Sequence, residues 1–191
     1  MVDSPARRVV VPALLAALLA ASAWVAIPLG AVPFTLQVFI VVLCALLLTP
    51  RQAAATLGVY LLLGAIGAPV FSGGRGGLGV LFGPTGGYLF GFLAGAVSGA
   101  LVRARLADRG VPELRADLAA GFTTLVIVYA VGWLQLALVA QLSAVEAFLA
   151  GVAPFVVLDV LKVVVAVGVA ATLRRTGVVH QPAAGSARQA R

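Results

Sequence analysis

The sequence predicts an all-α, multi-pass membrane protein: a compact bundle of six transmembrane helices with both termini cytoplasmic. Three observations lead there. Of 191 residues, 62% are apolar and only 10% charged, a composition outside that of water-soluble domains. The apolar residues gather into runs near the ~20 needed to cross a ~30 Å hydrocarbon layer. The thirteen basic residues comprise one lysine, Lys162, and twelve arginines, of which all but Arg75 fall on one side of the layout below. That asymmetry is the positive-inside pattern, so topology accounts for the net charge of +7 better than a nucleic-acid partner does.

Span one runs Val9–Leu29 behind Arg7 and Arg8. Ala21-Ser22-Ala23 imitates a secretory cleavage site, but a signal core is ~7–15 residues and this apolar run continues almost unbroken to Leu48, so a retained span is predicted. Spans two (Phe34–Leu48) and three (Gln52–Gly67) flank Thr49-Pro50-Arg51. Both are short, which leaves tilt, bilayer thinning or a re-entrant hairpin open. A glycine-rich outer loop, 68–83, leads to span four (Pro84–Val102). There Gly83, Gly87, Gly91, Gly95 and Gly99 recur every fourth residue, a bare stripe for close helix approach. Arg103–Asp117 reads as a charged inner loop broken by Gly110 and Pro112. Spans five (Leu118–Leu142) and six (Pro154–Leu173) follow, and Thr176–Arg191, with His180, reads as a disordered tail. Residues 1–175 thus form one transmembrane substrate-binding domain. Cys44 lies mid-span with no partner for a disulfide, and no internal repeat suggests an inverted-repeat transporter.

Asp159 and Lys162 interrupt the last apolar run. Each would cost at least ~2.5–3.5 kcal/mol in hydrocarbon, and at i,i+3 they share a helical face. A functional pair facing the bundle interior, each charge partnering the other, is the expectation; a structural pin between helices is its bland counterpart. Counted from Pro154 at ~1.5 Å per residue, they lie roughly 8 and 12 Å below the outer face. The outer loop is expected to be a flexible cap, because glycine permits positive φ and exposed N–H groups can donate to an anion. Gly74, Gly76 and Gly79 form a formal G-x-G-x-x-G, but no strand precedes it, and no P-loop lysine exists. Thr35, Gln37, Tyr60, Tyr129, Trp133 and Gln135 are lesser polar candidates. Tyr129 and Trp133, at i,i+4, serve equally as an aromatic wall for a ring or as core. No catalytic constellation or metal-ligand cluster appears, so neither an enzyme nor a metal or cofactor protein is predicted.

Four stretches go further: Val32-Pro33-Phe34-Thr35-Leu36-Gln37; Tyr60 through Gly67-Ala68-Pro69-Val70-Phe71; Gly73-Gly74-Arg75-Gly76-Gly77-Leu78-Gly79 through Gly83-Pro84-Thr85-Gly86-Gly87-Tyr88; and Asp159-Val160-Leu161-Lys162. On them the chain resembles the BioY proteins, the biotin-binding S-components of energy-coupling-factor (ECF) vitamin transporters, over Val9 to Leu173. The G-P-T-G-G-Y box with its glycine-rich lead-in is the specific part. The resemblance implies a six-helix bundle that takes biotin, as transported ligand, from outside. Asp159 and Lys162 would contact it, Gln37 and Tyr88 would line the site, and the loop holding Gly73 and Arg75 would be the lid, with Thr35 beside them. A coupling transmembrane subunit would dock on Ala13, Ala17 and Ala21, or on Ala16 and Ala20, and two ATPase subunits would drive uptake. Two positions depart from the pattern: some relatives have asparagine where Gly73 stands, and Leu158 replaces the usual glycine before the aspartate. The rival reading is a self-sufficient secondary transporter with Asp159 as proton carrier; an assembly subunit without substrate would bind no vitamin at all.

Overall fold

The computed structural model describes residues 5–28, 30 and 32–177, with side chains from residue 9 onward. His180, Arg188 and Arg191, and so nearly all of the predicted tail, lie outside the described residues, as does Leu29. Eight helices are described: α1 (Pro5–Ser22), α2 (Gln37–Leu47), α3 (Pro50–Ala65), α4 (Leu78–Leu81), α5 (Gly86–Asp108), α6 (Glu113–Ala140), α7 (Ala144–Gly151) and α8 (Val156–Arg175). Two short strands, β1 (Ala26–Pro28) and β2 (Pro33–Thr35), pair antiparallel between α1 and α2. Six of these helices overlap the six predicted spans; α4 and α7 are additional.

The core is built around α2. Every residue from Ile40 to Leu46 is buried, as befits a helix apolar all round, and α1, α5, α6 and α8 pack against it. Its 11 residues reach only roughly 17 Å at ~1.5 Å each. A tight turn joins α2 to α3. Thr49 Oγ1 accepts the Gln52 N–H, Gln52 Oε1 accepts the Thr49 N–H at 3.0 Å, and Pro50 opens the helix where its missing N–H does no harm.

Helices α5 and α6 form the most extensive pair, and the glycine stripe explains it. A Cβ at Gly91 would stand 2.9 Å from Val128 Cα, and one at Gly95 would stand 2.8 Å from the Thr124 carbonyl oxygen. The approach is close enough for Thr124 Oγ1 to donate to Gly95 O across the interface at 3.2 Å. Gly83 is not part of this stripe. It lies in the turn ahead of α5, where a Cβ would meet the Gly79 carbonyl.

Two other expectations are corrected. The predicted ends of spans one and two form the β-ribbon, with Ala26 opposite Thr35, Ile27 opposite Phe34 and Pro28 opposite Pro33. Helix α1 stops at Ser22 and α2 starts only at Gln37, with Pro28 and Pro33, which lack an N–H for a helix, paired in the ribbon between them. The chain is therefore mostly helical with one small ribbon. Likewise, the predicted inner loop 103–117 is largely helix: only Arg109–Pro112 separates α5 from α6, turning at Gly110 with φ +73°. Asp117 is buried inside this region, 1% exposed. It accepts from Arg103 Nε at 2.6 Å and from Arg174 Nη2, which ties α5, α6 and α8 together at the end remote from Asp159.

Large apolar side chains such as Val126, Leu134 and Leu138 on α6 and Val157, Leu161 and Val164 on α8 face outward, far more than a water-soluble surface carries. Helices α5, α6 and α8 are long and apolar enough to cross a membrane. Gly95→Val should cost about 1–3 kcal/mol by overpacking the α5–α6 seam, seen as a lower melting temperature in detergent. Gly58→Ala, where a Cβ meets nothing within 4 Å, should leave melting unchanged or slightly raised.

Candidate functional site

A pocket of about 640 Å³, counted with its opening to solvent, lies where β2, the start of α2, the 71–75 turn, α5, α6 and α8 converge. At its polar wall the first two turns of α8 present Asp159 and Lys162, 3% and 8% exposed. Lys162 Nζ donates to Asp159 Oδ1 at 2.6 Å and to the Thr35 carbonyl at 2.7 Å, and it sits 3.8 Å from the centroid of the Phe34 ring. Asp159 Oδ2 accepts the Tyr129 hydroxyl at 2.7 Å. A buried ion pair is tolerable only when its spare lone pairs and protons are also matched, and here β2 and α6 match them. Helix α8 begins at Val156 rather than Pro154, so the two residues sit roughly 5 and 9 Å along it.

The ribbon delivers the Thr35 carbonyl, and Thr35 also starts α2: its Oγ1 accepts the Gln37 N–H at 3.2 Å and donates to Gln37 Oε1 at 3.1 Å. Gln37 Nε2 donates to Tyr60 Oη at 2.7 Å, and the Tyr60 hydroxyl donates to Val70 O at 2.9 Å, just ahead of the 71–75 turn. Thr35 and Gln37 thus line the pocket with their polar side-chain atoms already engaged. Tyr88 lines it too. Its hydroxyl donates to Gly151 O at 2.7 Å, and its ring fills a slot that a Cβ at Gly132 or Gly151 would enter. Gln135 Nε2 braces the α4–α5 turn by donating to Leu81 O and Gly83 O, both at 2.8 Å.

The segment expected as a flexible cap carries its own hydrogen-bonded turn. Phe71 is fully buried, edge-on to Tyr60, and its ring occupies the space left by the missing side chain of Gly64. Phe71 and Arg75 exchange backbone hydrogen bonds of 2.8 and 3.2 Å, and the Gly73 N–H donates to Ala23 O at 2.8 Å. One expectation is corrected here and another narrowed. Gly73, at φ +71°, does not line the pocket, because its N–H is committed to the end of α1. The loop N–H groups of Phe71, Gly73 and Arg75 are likewise committed within the protein and not offered to an anion. Arg75 does line the pocket, with Nε donating to Ser72 O at 3.0 Å.

Tyr129 and Trp133 part company. Tyr129 holds Asp159, whereas Trp133 Nε1 donates to Ala144 O at 2.9 Å, anchoring α7 outside the pocket. Ser72 and Phe34 also line the site, although residue type alone singled out neither as a ligand group. The predicted docking residues Ala13, Ala17 and Ala21 lie on an exposed face of α1, while Leu15 and Leu19 pack inward.

Fold and pocket together define a multi-pass helical membrane protein that holds a small-molecule site among the ends of its helices. Its polar wall is a charge pair and its remaining lining is mainly aromatic and aliphatic. The BioY family model matches residues 1–178, and the chain belongs to that family. It is 41% identical over 169 residues to the biotin transporter BioY of Thermotoga maritima, covering 88% of this chain and 96% of that one. With the biotin transporter BioY of Rhodobacter capsulatus it shares 40% over 178 residues, 87% and 93% of the two chains. The fold is that of the S-component for biotin from an ECF-type ABC transporter, known from a crystal structure, with a TM-score of 0.84, 23% identity and coverage of 92% and 95%. The chain is a multi-pass protein of the cell membrane.

Tyr129→Phe removes a hydrogen bond to a buried carboxylate. It should cost about 1.5–3 kcal/mol, read as a melting temperature several degrees lower for the ligand-free protein. Trp133→Phe, which loses a bond to a neutral carbonyl, should cost less.

Proposed function

We propose that the chain is the membrane-embedded biotin-binding S-component of an ECF uptake transporter, capturing biotin outside the cell and passing it inward with an ATP-driven coupling module. The observation that carries this reading is the buried Asp159–Lys162 pair in the wall of a pocket lined mainly by aromatic and aliphatic side chains, in a chain of the BioY family. Biotin offers a ureido ring with two N–H donors and a carbonyl, an apolar thioether ring and a carboxylate tail. Asp159 accepts a ureido N–H and Lys162 donates to an oxygen. Charge-assisted hydrogen bonds in a dry pocket discriminate against apolar mimics, which would leave both groups unmatched. Gln37, Tyr88 and Thr35 line and brace the pocket, and Arg75 supplies positive charge at the lid.

Helices α1, α2, α3, α5, α6 and α8 cross the membrane, both termini are cytoplasmic and the pocket opens outward. In support, Arg103, Arg105, Arg109, Arg115, Arg174 and Arg175 cluster at the other end of the helices that carry Tyr88 and Asp159. The chain has no nucleotide-binding motif, so ATP hydrolysis belongs to separate subunits. The exposed small side chains of Ala13, Ala17 and Ala21 give the coupling subunit a close-approach stripe on α1.

Purified protein should bind biotin and neither thiamine nor riboflavin. Asp159→Asn and Lys162→Ala should each weaken biotin binding by at least ~10-fold, with melting curves as the folding control; near-unchanged affinity in both would end the role of the pair. In membranes, co-expressed ATPase and coupling subunits should stimulate uptake. Uptake by this protein alone that vanishes when the proton gradient is dissipated would instead establish a proton-coupled carrier.

A further inference from the structure

We infer that the lid turn carries a carboxylate clamp, formed by the Ser72 hydroxyl and the Arg75 guanidinium, that fixes the ligand's anionic end. This rests on the biotin reading above and goes beyond it by assigning the ends of the ligand. The polar wall is already neutral: Lys162 balances Asp159, and Thr35 O and the Tyr129 hydroxyl complete their partners. A carboxylate brought there would face Asp159 with no uncommitted cation to compensate it. The ureido group, neutral and able both to donate and to accept, suits that wall.

The lid offers the converse chemistry. Its Phe71, Gly73 and Arg75 N–H groups are spent within the protein, so any hydrogen bond from these residues to a ligand comes from a side chain. Ser72 lines the pocket, and its hydroxyl oxygen is buried without a hydrogen-bond partner among the described residues. Buried polar atoms in native proteins are nearly always matched, so one left unmatched against a pocket wall marks a place for a ligand atom. Arg75 lines the pocket beside it. The Nε donation to Ser72 O holds the exposed guanidinium on this turn. The lining carries Arg75, Lys162 and Asp159 as its charged groups, two positive and one negative, a net +1 that matches a monoanion. A hydroxyl donor beside a guanidinium is a charge-assisted site for one carboxylate.

The test compares biotin with biotin methyl ester, which keeps the ureido and thioether rings but loses the negative charge. The full-length protein should favour biotin by ~10-fold or more. Ser72→Ala and Arg75→Gln should each lower biotin affinity by ~10-fold while changing ester affinity less than twofold, so the preference collapses. Ser72→Ala removes an oxygen that has no protein partner, and unchanged melting should confirm intact folding. Equal losses for both ligands, or an undiminished preference for biotin in the two variants, would overturn the clamp while leaving the site reading intact. Wild-type protein that binds no biotin would overturn both.

Discussion

A carboxylate and an ammonium group shut into an apolar bundle are tolerable only if their remaining lone pairs and protons also find partners, and the pocket end of this protein is arranged around that constraint. The Thr35 carbonyl reaches Lys162 because β2 is held in register by β1. That pairing in turn requires α1 to stop at Ser22 rather than run on. The Tyr129 hydroxyl reaches Asp159 because α6 and α8 pack in a fixed register. Losing either support would leave a desolvated charge incompletely matched, a heavier penalty than losing a neutral hydrogen bond. The pair is therefore as much a condition on the positions of three elements as it is a chemical group.

The opposite end is fixed by the same physics. Asp117 gathers Arg103 and Arg174 at the C-terminal ends of α5 and α8, and Arg174 also ion-pairs with Glu113 at 2.5 Å. Between these two ionic ends the helices rely mainly on shape, and the Gly87–Gly99 stripe lets α5 and α6 lie almost backbone to backbone, with the Thr124 hydroxyl bonding Gly95 across the seam. Helix α8 is thus pinned at both ends, at Asp159 and at Arg174, with a smooth apolar stretch between them.

Much of this is legible in the sequence where the signal is local. The glycine stripe, the apolar runs and the i,i+3 pair of Asp159 and Lys162 depend on short-range periodicity, and the fold realises each. Long-range partnership is not legible. Asp117 reads as one charge of a loop because Arg103 and Arg174, its partners, are 14 and 57 positions away. The β-ribbon hides inside an apolar run, since three-residue strands of Ala, Ile, Phe and Pro differ little in composition from the end of a membrane helix. Tyr129 and Trp133 share a face by periodicity, yet α7 intercepts only the second, and α7 itself has no counterpart among the predicted spans. Gly73 turns away from the pocket, and nothing in the sequence says that its N–H points toward Ala23.

The seat of Tyr88 has a consequence for how ligand choice can drift. Its ring is flanked by Gly132 and Gly151, positions where nature has already reached the smallest residue available. A relative evolving toward a bulkier cargo cannot widen this side of the chamber by trimming those neighbours. It must replace the tyrosine itself or shift whole helices. Even a methyl group added at Gly132 or Gly151 would strike the tyrosine, so on this flank a change of cargo in either direction demands rebuilding.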